Sequence, residues 1–188
     1  MIYWASLTRG HEPPAWRNND DEDALHISLP GSGTLLSNLV YSLTGAQYTH
    51  ISLAFDEDLS TLYSSTRKNG YTMFPAGPSR EYLNRGVFLM RENIPCALYA
   101  LEVTDEAYTR AKRRTQHMMH HGELYRFNSL GLLLCWMHIR WQRRRHYFCS
   151  QFVSEVLQKS GALELPKPST LMHPSDYAGL PELRCLYR

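Results

Sequence analysis

Tyr48-Thr49-His50-Ile51-Ser52-Leu53-Ala54-Phe55 alternates with a period of two, the mark of a strand with two different faces. Ile51, Leu53 and Phe55 form a core face. His50, Ser52 and Ala54 form the other, where small side chains leave room for a second element to approach beside the imidazole. Asp56-Glu57-Asp58 turns the chain and Thr61-Leu62-Tyr63-Ser64-Ser65 returns, which predicts a hairpin. Pairing Asp56 with Leu59 sets His50 opposite Ser65. A slip of one residue, or a bulge, brings Ser64 or Thr66 there instead.

Upstream of this hairpin, Leu25 to Leu29 alternates as a strand, and Thr34 caps a helix with Leu35, Leu36, Leu39, Val40 and Leu43 at helical spacing. Residues 9–24 carry two prolines, two asparagines and the acidic run Asp20-Asp21-Glu22-Asp23. Like charges repel and prolines break a ladder, so residues 1–24 read as an N-terminal extension or mobile acidic segment, solvated rather than cation-binding. Residues 25–188 read as the folded domain. Downstream, residues 67–85 read as a long ordered loop, and Val87 to Met90 and Leu98 to Val103 as strands. Thr104 caps a helix with Asp105 and Glu106 in its first turn and His117, His120 and His121 near its end, an order that suits the helix dipole. Asn128 to Ile139 reads as a mostly buried helix, followed by the basic stretch Arg140 to His146. Cys149 to Lys159 is amphipathic and stops at Gly161, and Leu183 to Tyr187 is a last strand. The fold class is α+β.

Composition excludes several classes. At 188 residues with 43% hydrophobic and 20% charged side chains, the chain is neither disordered nor fibrous. Twenty Lys and Arg against 18 Asp and Glu give +2, and one run of three arginines covers few phosphates, so no nucleic-acid partner is expected. Cys96, Cys135, Cys149 and Cys185 form no CxxC pair, which removes zinc ribbons and dithiol redox motifs and suits a reducing compartment. The first residues lack the basic start and long apolar run of a signal peptide. The longest apolar stretch, Leu130 to Ile139, is half the ~20 residues of a membrane span. A cytoplasmic protein without a cofactor is the expectation.

Cys149 sits in the first turn of its helix, where unpaired N–H groups and the positive dipole end favour a thiolate, the nucleophilic form. It also lies on the stripe of Phe152, Val153, Val156 and Leu157, as a structural cysteine would. A cysteine nucleophile needs a base, and the base needs a partner to fix its orientation. His146 sits in the basic stretch and His173 precedes a proline; His50 stands on a rigid strand and ranks first. Asp176, after Pro174-Ser175, reads as a local cap. His117, His120, His121 and Glu123 have ligand-like spacing but lack the Glu of HExxH, so they read as a solvated helix end and no metal is assigned.

Tyr48-Thr49-His50-Ile51-Ser52-Leu53-Ala54 with Leu62-Tyr63-Ser64-Ser65, and then Tyr147-Phe148-Cys149-Ser150-Gln151-Phe152-Val153, resembles the circularly permuted NlpC-type papain-like cysteine peptidases (YiiX/YebB-like group). There the histidine strand precedes the cysteine helix. The resemblance runs from about Leu25 to Tyr187, with Gly31 to Leu36, Gly122 to Asn128 and the tail from His173 to Tyr177 matching the general layout. It implies a permuted papain-like fold, an antiparallel sheet with the nucleophile helix packed on its small-residue face. It further implies Cys149 as nucleophile, His50 as general base, Tyr125 and Tyr48 as substrate-binding or oxyanion residues, and the Cys149 backbone N–H as an oxyanion donor.

The implied function is a cysteine hydrolase, a peptidase or amidase working through a thioester acyl-enzyme on a peptide, amide or lipid ester. The chain departs from the pattern at the third polar residue: the return strand offers only Ser64, Ser65 and Thr66, none of which brings a charge to the imidazolium. That departure makes a catalytically inactive peptide- or lipid-binding module one alternative. The other is a membrane-associated acyltransferase or lipid thioesterase, because the layout is also similar to lecithin:retinol acyltransferase-like proteins. The apolar stretch to Ile139 followed by Arg143-Arg144-Arg145 would then make a weak contact with an anionic membrane.

Overall fold

The computed structural model describes residues 2–7, 48–56, 58–67, 75–82 and 96–187. In chain order they form β1 (Ile2–Leu7), β2 (His50–Ala54), β3 (Leu62–Arg67), β4 (Ala76–Glu81), β5 (Cys96–Leu101), α1 (Asp105–His120), β6 (Arg126–Phe127), α2 (Ser129–Trp136), β7 (His146–Tyr147), α3 (Cys149–Ser160), α4 (Pro174–Tyr177) and β8 (Leu183–Tyr187). The class is α+β. Six strands make one antiparallel sheet in the order β4-β3-β2-β1-β5-β8, and β6 pairs with β7 in a small parallel ribbon.

Three readings change here. Ile2–Leu7 is an inner strand, pairing Leu7 with His50 on one side and with Cys96 on the other. The domain therefore includes residues well before 25. The stretch 67–85 is not loop throughout, because Ala76–Glu81 pairs along all of β3. Pro78 hid this strand; β4 lies at the sheet edge, where a missing N–H costs no ladder bond. The β2–β3 register, Leu53 with Tyr63 and Ala54 with Leu62, is one residue away from the pairing of His50 with Ser65. The acidic run 20–23, the strand at 25–29, the helix from Thr34 and the strand at 87–90 lie outside the described residues.

Helix boundaries follow local chemistry. Thr104 caps α1 by accepting from the Ala107 N–H at 3.2 Å. Asn128 caps α2 by accepting from Gly131 at 3.0 Å. Gly161 ends α3 in the left-handed region at φ 71°. Contrary to the sequence expectation, α2 is eight residues long and only half-buried. His138 takes φ 59°, and the bonds Ile139 N–H to Leu134 (2.8 Å) and His138 N–H to Cys135 (3.0 Å) close the helix early.

The core lies between the sheet and the helices. Ile51, Leu53 and Phe55 cluster with Ala97, Tyr99 and Leu101 of β5 and with Phe152, Val153, Val156 and Leu157 of α3. The Cys149 helix α3, expected on the small-residue face, therefore packs on the large apolar face of β2, not on the face of Ser52 and Ala54. Burying aromatic and branched side chains removes far more apolar area from water than alanine and serine can offer, at ~25 cal/mol per Å².

The C-terminal segment fastens α3 from the other side. Ser150 Oγ donates to the Met172 carbonyl at 2.6 Å, and Tyr177 OH pairs with Ser154 Oγ at 2.7 Å.

Candidate active site

His50 is the first residue of β2 and Cys149 the first of α3, so both side chains project where their elements begin. They come together: the Cys149 side chain lies close enough to the His50 ring to raise its pKa. The imidazole has a second partner that the sequence reading missed. His50 Nε2 donates to both carboxylate oxygens of Glu81 at 3.1 Å. Ser52 Oγ donates to Glu81 Oε2 at 2.5 Å and lies 3.1 Å from His50 Nε2. Cys149, His50, Glu81 and Ser52 thus form one connected group spanning β2, β4 and the start of α3.

The electrostatics follow from this arrangement. Burial, the largest influence on His50, pulls its pKa down. The Glu81 charge, the hydrogen bond that Glu81 accepts from the ring, and the neighbouring Cys149 outweigh it, so the pKa stands well above the ordinary 6.5. Burial pushes Glu81 up, but the His50 charge and the bonds from His50 and Ser52 bring it below its usual 4.5. The pair thus favours a charged imidazolium facing an ionised carboxylate. The side chains of His50 and Glu81 are 19% and 12% exposed, enough for a reactant to reach the ring and too little for water to screen the pair.

The serines assigned to orient His50 do something else. Ser64 Oγ donates to the Ile51 carbonyl at 2.8 Å and Ser65 Oγ to the Tyr147 carbonyl at 2.7 Å; both residues are wholly buried. Ser65 still matters to the site, since it anchors the backbone two residues ahead of Cys149. Tyr48 lies in the core cluster with Cys149, and its hydroxyl has no hydrogen-bond partner among the described residues. Tyr125 packs at the edge of the same cluster, its ring 6.1 Å from that of Tyr147.

The chain holds a second cysteine–histidine contact, which shows what the first one adds. Cys135 Sγ lies 3.7 Å from His173 Nε2. Burial pushes the Cys135 thiol up to about 12 and moves His173 below its usual value. Asp176, as expected of a cap, accepts from the His173 backbone N–H at 2.6 Å and pairs with Lys167 at 2.6 Å, so it leaves the His173 ring without a carboxylate of its own. His146 is bound up too, with Nδ1 2.8 Å from the Arg144 carbonyl. At the end of α1, His117, His120 and His121 stack on one another. No group of three or more metal-ligating side chains occurs among the described residues.

Nothing in the local sequence signals Glu81. Ala76-Gly77-Pro78-Ser79-Arg80-Glu81 has no apolar alternation, and only its pairing with β3 brings the carboxylate to β2. No family model, curated protein or solved structure matches the chain.

Proposed function

We propose that the protein is a cysteine hydrolase of the peptidase or amidase type, of the permuted papain-like kind that the order of its histidine strand and cysteine helix resembles. One observation carries this reading: a single imidazole is hydrogen-bonded to a part-buried carboxylate at 3.1 Å and lies beside a helix-start cysteine that raises its pKa. The Cys149 thiolate attacks an amide or ester carbonyl, and the backbone N–H of Cys149 donates to the oxygen that becomes negative. His50, charged and held by Glu81, gives its proton to the departing amine or alkoxide. A water then loses a proton to His50 and attacks the thioester, which releases the acid and restores the thiolate. Glu81 does not take up the proton; it holds the ring in place and stabilises its charge.

Glu81, from the strand beyond the return strand, supplies the charged partner that Ser64, Ser65 and Thr66 do not, and this favours a hydrolase over a non-catalytic binding module.

The test uses p-nitrophenyl acetate as a generic acyl donor, with p-nitrophenolate release followed by absorbance and the protein by intact mass. A burst with one acetyl group on Cys149 is expected. Cys149→Ala should remove the burst, and His50→Gln should slow it by at least about 100-fold. Acetylation that persists in Cys149→Ala, or is indifferent to His50, would overturn the assignment.

A further inference from the structure

The short helix α2 presents an unusual surface. Its sequence, Ser129-Leu130-Gly131-Leu132-Leu133-Leu134-Cys135-Trp136, contains no charge. Gly131 and Cys135 face the protein interior. Leu130, Leu133 and Met137, at spacings of three and four, are 53%, 38% and 52% exposed, and Ile139 is 46% exposed. An apolar helix of this composition would ordinarily be buried on all sides.

Arg140, Arg143, Arg144 and Arg145 follow directly, all exposed. Between Leu124 and Ser154 the chain has five arginines and no aspartate or glutamate. The segment is also firmly built. The left-handed His138 sets the direction in which Ile139 and Arg140 leave the helix. The Arg126 N–H binds the Arg145 carbonyl at 2.9 Å, the His146 N–H binds that of Arg143 at 3.2 Å, and Gln151 Nε2 donates to Gln142 Oε1 at 3.2 Å. Backbone groups of the basic loop are thus engaged inward, while its arginine side chains remain in solvent.

From these features we infer that α2 and the following arginines form a docking surface for an anionic lipid bilayer. Leu130, Leu133, Met137 and Ile139 enter the headgroup–acyl boundary and Arg140 and Arg143 to Arg145 pair with lipid phosphates. Charge decides the occupant: a protein groove or a second copy of this chain would cover the leucines, but four arginines at the rim, paired with no carboxylate among the described residues, favour an anionic surface. The helix lies on the membrane, since no helix among the described residues is long and apolar enough to cross it. Asn128, which caps α2, donates to Gln151 of α3 at 3.2 Å, so the docking helix is tied to the nucleophile helix.

Flotation of the full chain with vesicles of phosphatidylcholine containing roughly a third phosphatidylglycerol tests this. Co-flotation is expected at low salt, with little in ~0.5 M salt or on pure phosphatidylcholine. The triple variant Arg143→Glu, Arg144→Glu, Arg145→Glu should bind at least ~100-fold more weakly. Met137→Asp with Ile139→Asp should also lose binding, with circular dichroism showing that both variants fold. Failure of the wild type to float with the anionic vesicles, equal binding to neutral vesicles, indifference to the arginine changes, or self-association that buries α2 would each overturn the inference. Cys149→Ala should float like the wild type, so this result stands apart from the hydrolase reading.

Discussion

The state of one proton decides what His50 can do, and Glu81 controls that state. Burial alone would lower the ring's pKa; the carboxylate at 3.1 Å, with Cys149 beside it, raises it instead. In Glu81→Gln the His50 titration, followed by NMR of its ring protons, should fall, because burial is then opposed by Cys149 alone. The same pair makes stability depend on pH. The folded pKa of His50 is raised, so its contribution is complete below the unfolded value of 6.5 and disappears as pH rises through the folded value. Glu81 is lowered, so its contribution is present above 4.5 and disappears as pH falls through the folded value. Urea unfolding of the wild type and of the His50→Gln, Glu81→Gln double variant should therefore differ most between pH 4.5 and 6.5 and converge on either side. A difference constant across pH would mean that the pair is not charged.

Among the elements, α2 shows how a cap can outweigh propensity. Asn128 bends its side chain over Gly131, so that a Cβ there would lie 2.1 Å from the Asn128 amide nitrogen. Alanine is the better helix former by about 1 kcal/mol. Gly131→Ala is nevertheless expected to destabilise, by about 1–2 kcal/mol in chemical denaturation, because it expels the cap and breaks the Asn128–Gln151 bond. A gain in stability would show that the cap contributes little. The sequence carried Thr104 and Gly161 legibly, since capping is a matter of a few adjacent residues, whereas Asn128 read only as the start of a helix and not as its cap. It also showed β2 and the start of α3. It did not show that α2 closes at Trp136, because a left-handed histidine is a rarer stop than glycine.

At the scale of the molecule, α3 is held between the sheet and the C-terminal segment. Tyr177→Phe removes the hydroxyl that meets Ser154 Oγ and lies 3.3 Å from the Ser150 carbonyl. A loss of about 1–3 kcal/mol is expected, as Ser154 is wholly buried and left without this partner. Thermal unfolding and the rate of Cys149 acylation should both register it; stability unchanged would place the clamp elsewhere. By itself the sequence determined the α+β class, the β2–β3 hairpin, the Cys149 helix and the strand that carries His50, because side-chain periodicity and caps operate over a few residues. The tertiary structure alone decided that β1 sits inside the sheet, that α3 covers the apolar face of β2, and that Ser64 and Ser65 serve backbone carbonyls. It alone brought in Glu81, 31 residues from His50, since a carboxylate reaches across an intervening strand only when sheet order and register align the two. Such alignment comes from the pairing and packing of many strands together, and no local stretch of residues encodes it.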